Sequence, residues 1–194
     1  MLKRKLAQEE FLNFSSSVKK KLEVMTKYNA TFNSYDELYR DEQYEKYDSV
    51  KTHLVTTVDS DSLMLDLGCG TGLLYEYISK ICEKCGTYYV GIDISINMLR
   101  LAKRKILENE EKIPSDLILS DAEHLPFRNK CFNAIFAFTV IQNIPCIERF
   151  ILEIKRVARK QNLIVVTMPK KVKTQISFDY RVVCNGKHDF IYLI

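Results

Sequence analysis

A short apolar run, Leu63-Met-Leu-Asp-Leu67, breaks directly into Gly-Cys-Gly-Thr-Gly at 68–72, and an apolar helical period resumes at Leu73. This order of strand, glycine loop and helix constrains the fold more than any other stretch. Three glycines in five positions let the backbone pass close to a ligand where side chains would collide. The acid just before the loop, Asp66, sets the charge of that ligand. A strand ending in a carboxylate repels a pyrophosphate and suits an ammonium or a sulfonium.

The pattern that starts there continues. A strand over Leu63–Leu67 is followed by a helix over Leu73–Cys82 and a second strand over Tyr88–Ile92 that ends in Asp93. A helix over Asn97–Glu108, a third strand over Leu117–Leu119 ending near Asp121, and a fourth over Phe132–Val140 come next. The fourth is apolar along most of its length, as a strand buried on both faces must be. A helix over Ile147–Ala158 and a fifth strand over Leu163–Thr167 complete the alternation. Strands alternating with helices predict a parallel sheet with right-handed crossovers, hence an α/β fold. Two further β-rich runs, Asp179–Cys184 and Asp189–Ile194, flank Asn185-Gly186, a hairpin dipeptide, so an antiparallel hairpin closes the sheet.

The segment before this unit differs. Phe11, Phe14, Val18, Leu22 and Met25 recur every three or four residues, the period of an amphipathic helix that packs one face and turns its lysines outward. Lys3, Arg4, Lys5, Lys19, Lys20, Lys21 and Lys27, set against Glu9, Glu10 and Glu23, account for the entire net charge of +4. Residues 1–33 therefore read as a basic helical extension on a neutral domain, 34–194, and a polyanion such as RNA is the partner expected for it. Residues 34–47 are dense in tyrosine and charge. Ser34 and Glu37 have capping-box spacing, and a second helix is expected from about Asp48 to Val58. With 194 residues, 46% of them apolar, the chain can bury a core. Its charged start and the lack of a long apolar run exclude a signal peptide and a membrane span, so a cytoplasmic setting is expected. The six cysteines include one CxxC pair, Cys82 and Cys85, with no second pair to complete a zinc site. No metal is expected.

Ligands of open α/β sheets bind beyond the carboxyl ends of the strands. Asp66, Asp93 and Asp121 all fall there. Asp93 follows Gly72 by about 20 residues, the spacing at which an acid meets a ribose diol. Asp121 is placed to accept from an adenine amine, which leaves Asp66 for a cationic end of the ligand. The loop is GxGxG rather than the dinucleotide GxGxxG, and no Walker lysine is present. A ligand with an adenosine end and a cationic end is S-adenosyl-L-methionine.

Residues from about 35 to 168 resemble a class I S-adenosylmethionine-dependent methyltransferase. The resemblance rests on Asp66-Leu-Gly-Cys-Gly-Thr-Gly72, on Gly91-Ile-Asp-Ile-Ser95 with Met98-Leu99, on Ser120-Asp-Ala-Glu-His-Leu-Pro-Phe127 and on Phe132-Asn-Ala-Ile-Phe-Ala-Phe-Thr139. It implies a Rossmann-like, doubly wound sheet of seven strands. It also implies that Gly68 and Gly70 approach the cofactor, that Asp93 holds the ribose, that Asp121 with Ala122 reads adenine, and that Met98 packs on its face. Cys69, Ile94 and Phe138 belong to the same cofactor-binding set. Tyr35 and Tyr39 lie one helical turn apart and, with Arg40, are candidates for the methionine carboxylate. The chain departs from the family pattern at Asn133, where aspartate is usual. It has Lys160-Gln-Asn162 in place of a Pro-Gly-Gly turn, and a short stretch before the hairpin that leaves the last crossover helix reduced or missing.

No catalytic residue stands out. His124 is a candidate base. Pro145-Cys146 resembles a cytosine-C5 nucleophile pair without its supporting motifs. Thr139, Gln142 and Asn143 stand where an Asn-Pro-Pro-Tyr motif would. The expected reaction is direct methyl displacement. RNA, as tRNA or rRNA, is the favoured acceptor, helped by Lys170-Lys-Val-Lys173. The alternatives are a small-molecule or protein acceptor, or a cofactor-binding scaffold acting as a partner subunit. A small activator subunit, as in some relatives, is a further expected partner.

Overall fold

Leu63–Leu67 forms strand β1, and its side chains alternate between the two faces of a sheet. Met64 enters one core cluster and Leu65 and Leu67 the other, as the two-residue period of a strand requires. The computed structural model describes residues 2–57, 62–81, 86–109, 113–170, 181–185 and 189–193. Around β1 lie β2 (Tyr88–Asp93), β3 (Ser115–Leu119), β4 (Phe132–Ala137), β5 (Ala158–Pro169), β6 (Arg181–Asn185) and β7 (Asp189–Leu193). They form one seven-stranded sheet in the order β3-β2-β1-β4-β5-β7-β6. The first five are parallel, and β7 runs antiparallel to both neighbours. The strand order reverses between β1 and β4, and their carboxyl ends form the crevice where α/β sheets take ligands.

Helices α1 (Leu2–Thr31), α2 (Tyr35–Thr57), α3 (Leu73–Ile81), α4 (Ile96–Glu108) and α5 (Ile147–Val157) dress the sheet. Val50 and Leu54 of α2, Leu74 and Ile78 of α3 and Leu99 of α4 share one core with Met64 and Phe136. Phe150, Ile151 and Ile154 of α5 fill the other face with Ile135 and Val166. Both faces of β1 and β4 are therefore dry, which is why these strands read as nearly unbroken apolar runs.

Several boundaries differ from expectation. The tyrosine-rich segment and the helix expected from Asp48 are one helix, α2. Its stripe of Tyr44, Tyr47, Val50 and Leu54 packs continuously across the expected break. Ser34 sits in a 3-10 turn and its hydroxyl donates back to the Thr31 carbonyl at 3.3 Å, so the capping box with Glu37 is not formed. Strand β4 stops at Ala137, three residues early, because Thr139 takes a positive φ of 58° and turns the chain into a 3-10 segment, Ile141–Asn143. Strand β5 starts earlier than expected, at Ala158. The register slips from Phe132↔Ala158 to Ala134↔Leu163, so the residues around Lys160-Gln-Asn162 are absorbed as an irregularity in the strand. Asn133 has a local role: its side-chain oxygen accepts from the Leu63 backbone N–H at 3.0 Å. The side chains of Phe11 and Phe14, the Cys82–Cys85 pair, Lys171–Lys173, the stretch before β6 and the Gly186 turn lie outside the described residues.

The expectation for α1 is corrected most: Val18 and Leu22, expected on its packed face, are exposed, while two of its lysines are not. Lys20 Nζ donates to the Ile144 carbonyl at 3.1 Å, and Lys21 Nζ pairs with Asp121 at 2.7 Å and with Glu123. Both turn inward, because α1 crosses the carboxyl ends of the strands, where acids and free carbonyls await them. At its far end Asn29 accepts from Ser95 Oγ at 2.7 Å and from the Asn97 backbone N–H at 3.3 Å.

Candidate cofactor site

Two adjoining cavities open at the carboxyl ends of β1, β2 and β4. The larger runs from Gly68 and Gly70 past Asp93 and Met98 to Asp121 and Ala122. The smaller is lined by Asp66, Cys69, Thr71, Gln43 and Tyr47. They meet at Tyr35, Gly68, Gly70 and Phe138. Together they suit a long ligand with chemically different ends.

The loop after β1 is shaped for that junction. Gly68 has φ +69°, and a Cβ there would stand 2.5 Å from Val140 Cγ2. Its lack of a side chain keeps the passage between the cavities open. Gly70 N donates to Asp93 Oδ2 at 2.9 Å and Ser95 N to Oδ1 at 2.7 Å, so the β2 carboxylate is locked to the loop and to the start of α4. Burial raises the Asp93 pKa, and these backbone donors counter it. Asp66 is 3% exposed. Burial raises its pKa to about 7, the Tyr89 hydroxyl opposes that rise, and the charge of Asp93 adds to it.

Of the twelve residues expected at the cofactor, nine line the larger cavity: Tyr35, Gly68, Gly70, Asp93, Ile94, Met98, Asp121, Ala122 and Phe138. Asp66 and Cys69 line the smaller one. Burial pushes the Cys69 thiol well above its usual pKa and keeps it neutral. Tyr39 lines neither cavity; it is 42% exposed and packs on the Tyr35 ring at 4.9 Å. Arg40 is also turned away, paired with Glu76 at 2.6 Å and Asp36 at 3.1 Å. The sequence reading missed Lys21, Val24 and Tyr28, which put α1 into the cavity wall, and Thr139, Val140, Asn143, Ile144 and Pro145, which follow β4. Lys21, Val24 and Tyr28 are spaced by three and four, so their shared helical face was visible; which partner it met was not.

His124 has both ring nitrogens engaged, with Asp121 Oδ2 and Arg149, each at 3.1 Å. The ligand-type atoms of Asp121, Glu123 and His124 lie within 4.8 Å of one another, and the cation beside the two acids is the Lys21 ammonium. Cys146 sits at the start of α5, its thiol toward Glu148.

A methyltransferase domain family matches residues 65–166, more than half of the chain. The chain belongs to that family. An uncharacterized protein of Methanocaldococcus jannaschii is 25% identical over 150 residues, covering 77% of this chain and 53% of that protein. A demethylmenaquinone methyltransferase of Staphylococcus epidermidis is 28% identical over 152 residues, covering 75% and 60%. An 18S rRNA (guanine-N(7))-methyltransferase of Mus musculus is 39% identical over 82 residues, covering 42% and 26%. The chain thus spans at most about three fifths of the length of these relatives. In fold it is similar to a SAM-dependent methyltransferase from Aquifex aeolicus, with TM-score 0.69 and 20% identity over 85% of this chain and 96% of that one. It is also similar to a Haloferax volcanii methyltransferase solved with the Trm112 activator, with TM-score 0.60 and 17% identity over 72% and 59%. No helix among the described residues is long and apolar enough to cross a membrane.

The residues fit S-adenosylmethionine. A glycine cradle that a Cβ would fill joins a smaller compartment that holds Asp66 to a longer one that holds Asp93 and Asp121, a shape and charge that suit a ligand with a cationic end and an adenosine end.

Proposed function

We propose that the protein transfers the methyl group of S-adenosylmethionine to a small acceptor that enters beneath α1. The observation that carries this reading is the α1 wall: Lys21, Val24 and Tyr28 line the same cavity as Gly68 and Gly70. A duplex or folded RNA would have to reach past that helix, and Lys20 and Lys21 are already committed to Ile144, Asp121 and Glu123. Val24, Val140, Ile144 and Pro145 add an apolar stretch to a lining that also holds Ser120, Thr139 and Asn143, and that stretch suits an acceptor with an apolar part.

Bound in this site, the cofactor supplies a methyl group already activated by its sulfonium. The protein's share is position. Asp93, held by Gly70 and Ser95, presents a fixed acceptor to the ribose, and Gly68 keeps the bend at the cavity junction open. Tyr35 and Phe138 line that junction and exclude water from it. Holding two reactants in line accounts for much of the rate in such a displacement.

Incubation with methyl-tritiated S-adenosylmethionine and fractionated cell extract tests the proposal. Label in the small-molecule fraction is expected. Label confined to tRNA or rRNA would overturn the small acceptor and restore the RNA reading, which the murine relative's name supports. Absence of calorimetric heat with the cofactor would favour a scaffold role. The Haloferax neighbour supports a small activator subunit as a proposed partner, testable by whether co-expression raises soluble yield and labelling.

A further inference from the structure

Lys21 carries three N–H donors, and two are spent, one on Asp121 Oδ2 and one on Glu123. Asp121 has about four lone-pair sites. Three are taken: Oδ1 accepts from the Glu123 backbone N–H at 2.9 Å, and Oδ2 faces both Lys21 and His124. By count one donor and one acceptor remain, on two residues whose Nζ and Oδ2 atoms are 2.7 Å apart and which both line the larger cavity.

This pair is also rigid. Glu123 is 1% exposed, and its other oxygen accepts from the Cys146 backbone N–H, so the carboxylate that anchors Lys21 is itself fixed at the start of α5. Lys20 on the Ile144 carbonyl, and Asn143 donating to the Tyr28 hydroxyl at 3.0 Å, hold the same stretch of α1 in place. A lysine on a solvated helix face has no such support.

The edge of adenine presents the complement: an amine donor next to a ring-nitrogen acceptor. Hypoxanthine replaces the amine with a carbonyl, so it would set oxygen lone pairs against the Asp121 carboxylate. We propose that Lys21 is a cofactor-binding residue, and that with Asp121 it forms a donor–acceptor pair selecting adenine in the bound cofactor. The N-terminal helix is then part of the cofactor site. The proposal rests on the reading of the larger cavity as the adenosine compartment.

The test is calorimetric binding of two inert ligands, S-adenosylhomocysteine and its deaminated counterpart S-inosylhomocysteine. The wild type should prefer the adenosyl ligand by about 100-fold, the scale of one mismatched polar pair in a shielded site. Lys21→Met should weaken adenosyl binding about tenfold and shrink the preference to about tenfold, while Lys21→Arg keeps most of both. Asn29→Ala loosens the other end of α1 without touching Lys21 and should leave the preference unchanged. Adenosyl binding by Lys21→Met as tight as the wild type, or tighter, would overturn the proposal. So would equal losses for both ligands, or an Asn29→Ala variant that matches Lys21→Met. A wild type that binds neither ligand overturns the cofactor reading as well, and is distinguishable on that ground.

Discussion

Tyr89 reaches from β2 across Gly91 and donates its hydroxyl hydrogen to Asp66 Oδ2 on β1 at 2.6 Å. The contact depends on the glycine between them. A Cβ on Gly91 would lie 3.0 Å from Tyr89 Cε1 and 2.9 Å from both Cys69 Sγ and Leu117 Cδ2. The acid before the glycine loop is thus held by a buried phenol, and at neutral pH it stands near the midpoint of its titration, at about 7.

A cation in the smaller cavity favours the ionised form of Asp66. Affinity for S-adenosylmethionine should therefore rise by up to about tenfold between pH 6 and pH 8, with proton release on binding below pH 7. Asp66→Asn should bind more weakly and lose most of that slope. Calorimetry in buffers of different ionisation enthalpy reads both quantities; a wild-type affinity that is flat across this range would show that Asp66 does not face the cation.

The same shift sets a stability cost. Folding raises Asp66 from its ordinary 3.8 to about 7, so the folded chain holds this proton more tightly than the unfolded chain. The contribution is intact below about pH 4 and is lost as pH rises through about 7, on the order of 4 kcal/mol in all. Asp66→Asn should raise the urea midpoint at pH 8 and raise it less at pH 5. An equal gain at both values would count against the shift.

Gly68→Ala places a methyl group on Val140 at a left-handed backbone position. A stability loss of about 1–2 kcal/mol is expected from the backbone alone. The obstructed junction should weaken cofactor binding by at least about 30-fold, since a few ångströms of misplacement forfeit most contacts in a close-packed site. Adding Val140→Ala returns the space but not the backbone strain, so recovery should be partial. Unchanged binding in Gly68→Ala would place the cofactor elsewhere.

Lys46 is 5% exposed and pairs with Asp189 at 2.7 Å, itself 3% exposed, and with Glu42 at 2.7 Å. Lys46→Met strands a buried carboxylate and should cost about 3–5 kcal/mol. Lys46→Met with Asp189→Leu should recover most of it. Urea titration of the four-member cycle gives the coupling, and strictly additive losses would mean the pair is not a unit.

The acid-ended strands were legible because β1 and β2 each join an apolar run to a cavity-lining carboxylate, and both signals are local. The end of β4 was not. Phe138, Thr139 and Val140 look like strand, yet the positive φ of Thr139 is held by distant groups: Thr167 Oγ1 on its N–H at 2.8 Å, and Gln43 and Lys46 on its hydroxyl at 2.9 and 2.8 Å. The direction of Lys21 was hidden for the same reason. Its carboxylates arrive from the turn after β3, and a helical period shows which residues share a face without showing what that face will meet. Tyr39 was misplaced in the opposite sense: one turn from Tyr35 put it on the right face, but too far out to reach the cavity.

The Lys46–Asp189 pair also sets an order of events during synthesis. Lys46 leaves the ribosome early, with α2, and its neutralising carboxylate on β7 follows only after nearly all of the sheet has been made. Until then the ammonium that clasps Thr139 has only the partly exposed Glu42 carboxylate of its own helix beside it, and its burial against the wall after β4 costs more. Nascent chains stalled before residue 189 should fail to retain S-adenosylhomocysteine, whereas chains in which β7 has cleared the ribosome should retain it. A nascent chain would then acquire its ligand only once β7 has emerged and paired.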